Sequence, residues 1–566
     1  MRMLAAVLAS AIPWAAAAQT PVVSVVLKPL ERGGEISRVE VRQSVSGFAA
    51  EPGQTLFTVP ARVTTILGQP YAASDIAASD AAGPLPLAMS VAKAEPGYPL
   101  EMRTFSPQRA TRGDIVLRYA ADVTPAMSPR RPGPSYDLRG TAGGFGGAFF
   151  SFLLLPADVP ADFKLDWDLS AASPGARGVS TLGEGAVSLF GPTGGINTVF
   201  LLGGAVQGYA PPGERFSAYW IGRPPFDPQA ASAWSARSYR ALQDQFADPD
   251  APPYVLLMRP YARPRDGGGA TNGGFMLEYG LGQMSDVSRR IMFTHEMIHH
   301  FIGQLAGDSG ANAWFGEGLA EFYKIRVPWR AGMISLDEAA AEIGVMTEAY
   351  YNSSVVDLPF AELGARRWAD GSAQAAPYNR GFMYFADLDA AVRAGSGGKR
   401  SLDDLVLAML ASRRAGGAYD EAKWRELLAA ELGEAGPARL DAMLAGALIV
   451  PPADAFGPCL ARTRSEHPRP VLGMSEDAFL MAPAVLSAVQ PDSAAAKAGL
   501  RDGDALVSFE GVTARIAHSA SNVRLDPRVR LVVRRDGAER QVAFSTEGPT
   551  VVEYAWTPTG KGACAP

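Results

Sequence analysis

Thr294-His295-Glu296-Met297-Ile298-His299-His300 decides how the rest of this 566-residue chain is read. It contains the pattern H-E-x-x-H. On a helix, positions i and i+4 share one face, so His295 and His299 can reach a single metal ion together. Glu296 stands beside them, where a carboxylate can serve as general base towards a water activated by that ion. The chain has five histidines, and three of them fall between positions 295 and 300. Histidines scattered through a core do not cluster in this way.

Ser285 and Asp286 are both good N-caps for the helix carrying this motif, and Gly303 with Gly307-Asp308-Ser309-Gly310 ends it. Next comes Trp314-Phe315-Gly316-Glu317-Gly318-Leu319-Ala320-Glu321, read as the start of a second helix reaching about residue 325. One helix face offers only two ligand positions, so a third ligand must come from elsewhere. Glu317 is the candidate, because two histidines, a glutamate and a water form an established catalytic zinc set. Glu321, one turn further on, is expected to hydrogen-bond a ligand histidine and fix its tautomer. The reverse assignment, with Glu321 on the metal and Glu317 in support, stays open at this level. The expected cofactor is one zinc ion.

Upstream of the motif, residues 230–246 have a helical pattern and residues 254–259 read as a short strand. The glycine-rich Asp266-Gly267-Gly268-Gly269 leads into a further strand over residues 273–279. A strand just ahead of the metal helix suits a sheet whose edge lines a cleft and pairs with extended substrate. Downstream, Ser335-Leu336-Asp337-Glu338 is a capping box for a helix over residues 336–351. Residues 377–381 open a helix reaching 392, Ser401 to Asp404 cap a third, and residues 420–432 form a fourth. From Pro21 to about residue 222, β-branched and alternating runs separated by Gly, Pro, Asp and Ser turns predict an all-β region of sandwich type.

The net charge of −6 and the absence of Lys/Arg runs argue against nucleic-acid binding. Residues 1–18 have the pattern of a secretory signal: Arg2, an apolar stretch from Leu4 to Trp14, and Ala16-Ala17-Ala18 as the cleavage site. The apolar stretch falls short of the roughly 20 residues that a membrane span needs, so no stable membrane insertion is expected. A periplasmic or secreted protein follows. In that compartment the two cysteines, Cys459 and Cys564, are most simply a disulfide. It would close a loop of about 100 residues and contribute on the order of 4–5 kcal/mol if unstrained.

Residues 485–506 run as an apolar strand, a short helix, Ala498-Gly499-Leu500 and Gly503-Asp504 leading into another strand. This resembles a PDZ domain of the bacterial type. The resemblance implies a module that takes a C-terminal peptide ligand on a strand edge, with Leu472-Gly473-Met474 as the carboxylate-holding loop.

With these parts in place, the chain resembles the glycyl aminopeptidase family of gluzincin metallopeptidases. Three motifs carry the likeness: His295-Glu296-x-x-His299, Trp314-x-x-Glu317-Gly318-x-Ala320, and Tyr378-Asn379-Arg380-Gly381. The resemblance implies a multidomain α+β fold. A signal peptide (1–18) is followed by a β-sandwich-like domain (19–223), a thermolysin-like catalytic domain with a helical half (224–455), and a PDZ-like domain with flanking cysteine segments (456–566). It implies that the Tyr378 hydroxyl stabilises the tetrahedral oxyanion. It also implies substrate binding by Gly274 and by Glu278, which would meet the substrate amine. Those enzymes show G-G-L-E-H there, whereas Gly273-Gly274-Phe275-Met276-Leu277-Glu278 has extra residues and no following histidine. The resulting expectation is an exported zinc peptidase acting on peptides or proteins, in aminopeptidase mode. The rival readings are an endopeptidase of the same fold and a non-catalytic peptide-binding scaffold.

Overall fold

The computed structural model describes residues 20–92, 100–128, 133–156, 159–262, 266–271, 273–280, 284–366, 370–480, 483–514 and 523–560. The expected signal segment and Cys564 lie outside the described residues, while Cys459 is buried.

Alternating side chains build the N-terminal region. Strand Val22–Arg32 buries Val23, Val25 and Leu27 and leaves the residues between them half-exposed, the period of a sheet with one face on a core. It pairs antiparallel with Glu35–Ser46 and parallel with Pro160–Trp167 in a sheet of seven described strands. A second sheet is built on Phe57–Val63 and Leu100–Pro107, and a third on Gly144–Ala148 and Phe200–Gly204. Side chains from all three, among them Phe57, Phe105, Ile115, Phe145 and Leu165, share one core.

The sheet of the central region starts earlier than residue 224. Its order is Gln207–Tyr209, Phe216–Trp220, Tyr254–Pro260, Gly274–Tyr279 and, at the edge, Gly267–Thr271. The glycine run 267–269 ahead of that strand is itself the start of the edge strand. Helix α1 (Pro228–Gln245) makes the crossover between the parallel strands Phe216–Trp220 and Tyr254–Pro260. Asp227 caps it by accepting from the N–H groups of Gln229 and Ala230. Along Tyr254–Pro260, alternate residues leave on opposite faces. Tyr254, Leu256 and Met258 join the core made with the helices, whereas Val255 and Leu257 pack with Ala148, Val179, Phe200 and Leu202 of the N-terminal region. Helices thus cover one face of this sheet and the N-terminal domain covers the other.

The helical half comprises α2 (Asp286–Ile302), α3 (Ala313–Arg330), α4 (Leu336–Tyr351), α5 (Phe360–Arg366), α6 (Gly371–Gly395), α7 (Leu402–Arg414), α8 (Glu421–Leu432) and α9 (Ala435–Leu444). The capping boxes at Ser335 and Ser401 form as read from the sequence. Two elements differ from the sequence reading. α6 is capped by Asp370 and begins at Gly371, so Pro377 lies inside it and Tyr378 is not a helix-start residue. α9 is masked in the sequence by Pro437, which its first turn accommodates because those N–H groups have no intrahelical partner. Among the described residues, no helix is long and apolar enough to cross a membrane.

Strands Leu460–Pro470 and Glu547–Pro558 form an antiparallel ribbon beside α4, with Tyr554 5.5 Å from Tyr351 and Trp556 5.1 Å from Phe456. Beyond the ribbon, Ala505–Ala514, Val523–Arg535 and Ala538–Ser545 make a three-stranded antiparallel sheet. Leu486, Leu500, Val529, Leu531 and Phe544 give this module a core of its own.

Candidate active site

Ser285 caps α2 by accepting from the Ser288 N–H at 3.1 Å. The helix is anchored through Ile291, Phe293, Met297 and Ile298, which pack in the core that also holds Phe275 and Leu277 of the sheet. This leaves His295 and His299, one turn apart, facing α3. Their Nε2 atoms lie 3.1 Å from each other, and Oε2 of Glu317 lies 3.3 Å from the first and 3.2 Å from the second. For metal–ligand distances of about 2.0–2.2 Å, a tetrahedral ion sets its ligands roughly 3.3–3.6 Å apart. The triangle, with sides of 3.1–3.3 Å, is slightly tighter than that range and needs only a small outward shift to take the ion.

The donor chemistry fits as well. Nδ1 of His295 lies 3.0 Å from Oε1 of Glu321, a carboxylate that calls for the ring proton on that side. The Nε2 lone pair then points at the other two ligand atoms. Oε2 of Glu317 is buried with no hydrogen-bond donor. Three ligand atoms that converge in this way are a donor set that suits a divalent cation. His295, His299 and Glu317 form such a cluster, while Glu321 sits behind His295 rather than in the triangle. His300, the third histidine of the window, packs its ring against Tyr254 and Tyr239 at 5.6 and 6.2 Å and is not part of the cluster.

The electrostatics agree. Burial alone would lower the His295 pKa, but the surrounding Glu317, Glu321 and Glu296 carboxylates raise it to about 10. Burial would raise Glu317, yet His299 and His295 hold it well below the usual carboxylate range. Glu296 is pushed up by burial, with the two histidines pulling the other way. The carboxylates around His295 favour positive charge there.

Tyr378 reaches the site from α6. Its ring stacks on His295 at 5.8 Å between centroids and 15° between planes. Burial and then the carboxylates of Glu317, Glu296 and Glu321 raise its pKa well above 10, so the phenol is a hydrogen-bond donor at neutral pH. Arg380, two residues on, donates to the carbonyls of Val355, Val356 and Leu358 and ties α6 to the loop before α5.

The solved structure of an aminopeptidase N family protein from Idiomarina loihiensis is similar over 94% of this chain and 97% of its own, with a TM-score of 0.65 and 14% identity. This chain shares its fold. Less similar are an M1 zinc metallopeptidase from Deinococcus radiodurans (TM-score 0.44, 16% identity, 77% of this chain and 96% of that one) and native yeast LTA4 hydrolase (0.46, 13%, 75% and 67%). No family model and no curated protein matches the chain.

Within this aminopeptidase N-like fold, two residues expected at the substrate lie elsewhere. On strand Gly274–Tyr279, Phe275, Leu277 and Tyr279 face the helices, so Gly274, Met276 and Glu278 face the N-terminal domain. Glu278 is 3 % exposed and accepts from Nε of Arg259 at 3.1 Å and from its Nη2 at 2.5 Å. Arg259 also donates to Oδ1 of Asp137 and to the Gly146 carbonyl, which bolts the two domains together. A Cβ on Gly274 would come within 2.3 Å of the Thr181 side chain, so this glycine serves domain packing. Sequence spacing places both residues ahead of the metal helix, but the two-residue period of a strand decides their side of the sheet.

Lys324 belongs to none of the motifs read from the sequence. It is 1 % exposed on α3, and its ammonium pairs with Oε2 of Glu321. The signal available is its i,i+3 spacing from Glu321, and Arg326 two residues later keeps it from standing out. For Arg259 the sequence holds no comparable signal.

Proposed function

We propose that this chain is a zinc-dependent peptidase that hydrolyses peptide bonds, with His295, His299 and Glu317 holding one zinc ion. The converging triangle of three lone-pair atoms, with Glu296 next to it on α2, carries the reading. The family name of the Idiomarina structure, aminopeptidase N, supports peptides as the substrate class. When bound, zinc supplies a Lewis acid that acidifies a water and polarises a carbonyl.

The chain's own groups do the remainder. Glu296 takes the proton of the attacking water and returns it to the leaving amine. Burial, which raises its pKa, suits a carboxyl that must both accept and release a proton. Tyr378, kept protonated, donates to the carbonyl oxygen as that oxygen gains negative charge. Strand Gly267–Thr271 ends its sheet and lies beside α2, so an extended peptide can add to it as a further strand. Its sequence, Gly-Gly-Gly-Ala-Thr, leaves the backbone open to close approach.

The aminopeptidase mode needs an acceptor for the free amine, and Glu278 is committed to Arg259 on the far face of the sheet. That observation favours the endopeptidase as second reading. Comparing one peptide with a free and with an acetylated N-terminus decides the mode. Zinc content by elemental analysis, with peptidase activity before and after chelation, tests the enzyme reading itself. A metal-free chain without activity, binding peptides through its C-terminal module, would leave the scaffold reading. Residues 1–18 support export and residues 485–506 support a PDZ-like peptide site. N-terminal sequencing of the mature protein and titration with C-terminal peptides test these two.

A further inference from the structure

Lys324 has no solvent contact that explains its charge, and packing does not ask for one. Its neighbours on the same side of α3, Ala320 and Val327, are buried and apolar. Its ammonium pairs with Oε2 of Glu321, and the other oxygen of that carboxylate lies 3.0 Å from Nδ1 of His295. Glu321 and Lys324 side chains are both 2 % exposed, so both are shielded from bulk solvent. Behind them, buried Glu342 of α4 accepts from the Ser288 hydroxyl at 2.7 Å and feels the Lys324 charge. The line of contacts therefore runs from Lys324 through Glu321 to His295.

We propose that Lys324 is a positioning residue for the metal centre: by holding one oxygen of Glu321 it aims the other at His295 Nδ1, which turns Nε2 towards His299 and Glu317. A carboxylate held at one oxygen only can rotate about its terminal torsion, whose wells are broad. Anchoring the second oxygen removes that freedom. The supporting groups of metal-binding histidines commonly change metal affinity roughly 10–100-fold when removed. Lys324 acts one step further back, through Glu321.

The inference rests on the zinc reading above, and a double-mutant cycle keeps the two apart. Zinc dissociation constants are measured by competition with a chromogenic chelator for the full-length wild type, Lys324→Met, Glu321→Gln and the double variant. The melting temperature of each metal-free form is recorded alongside. Lys324→Met is expected to weaken zinc binding about tenfold when Glu321 is intact and less than about threefold when it is combined with Glu321→Gln. Equal losses in both backgrounds, or no loss in either, would overturn the proposal, whatever happens to the melting temperature. If the methionine variant does not fold, Lys324→Gln carries the same cycle. Wild-type protein that binds no zinc would instead overturn the metal centre.

Discussion

Gly318 of α3 and Gly381 of α6 touch backbone to backbone: a Cβ built on either would lie 2.6 Å from the Cα of the other. The glycine after the ligand Glu317 and the glycine three residues after Tyr378 are thus one feature of the fold. Their contact sets how closely α3, which carries Glu317, and α6, which carries Tyr378, cross.

Alanine at either position has no room, and on Gly381 it would also meet the Trp314 carbonyl at 2.7 Å. Gly318→Ala and Gly381→Ala are each expected to cost about 1–3 kcal/mol of stability by overpacking. They should also lower kcat as Tyr378 is displaced. Thermal melts and steady-state kinetics on a peptide check this, and wild-type values for both quantities would show that the close crossing is dispensable.

Glu296→Gln keeps the size of the side chain and removes its proton acceptor. The expected outcome is unchanged zinc content with kcat lower by about 10²–10⁴. A variant that cleaves peptides at the wild-type rate would place the base elsewhere.

Tyr378→Phe retains the ring stacked on His295 and deletes only the hydroxyl. A fall in kcat of about 10²–10³ with little change in KM is expected if that hydroxyl meets the oxyanion. Metal analysis of the same sample separates this from loss of zinc. An unaffected kcat removes Tyr378 from the chemistry.

Glu278→Gln leaves Arg259 buried with one carboxylate partner fewer. Breaking a buried ion pair costs about 3–5 kcal/mol, so the melting temperature should drop. The rate ratio between free and acetylated peptides should stay as in wild type. A change in that ratio would bring Glu278 back to the substrate.

In the C-terminal module, Arg535 donates to both oxygens of Asp504 at 2.6 Å. These bonds, against a smaller opposing effect of burial, hold the Asp504 carboxyl below its usual range. A depressed folded pKa gives stability that is complete above the unfolded value of about 3.9 and is lost as pH falls through the folded value. Asp504→Asn should therefore destabilise the module by about 1–3 kcal/mol at neutral pH, with the gap to wild type closing in acid. Hydrogen exchange along Ala505–Ala514 at several pH values follows this, and a gap independent of pH would exclude the ion pair as its source.

What the sequence by itself determined is local. A ligand pair four residues apart needs only the helical period, and capping boxes at Ser335 and Ser401 need only a short stretch of successive residues. Glu317 and Glu321 could be named as ligand and support from the second helix, but their roles stayed interchangeable until the structure put Glu317 in the triangle and Glu321 behind His295. The tertiary structure decided the rest. Glu278 lies at the expected place along the chain, yet strand register and the domain covering the outer face send it to Arg259. The Gly318–Gly381 contact, the burial of the Glu321–Lys324 pair and the clasp of Arg259 on Asp137 depend on which surfaces meet. Such contacts join residues far apart in the chain or select one face of an element, and neither is encoded in the period of a single helix or strand.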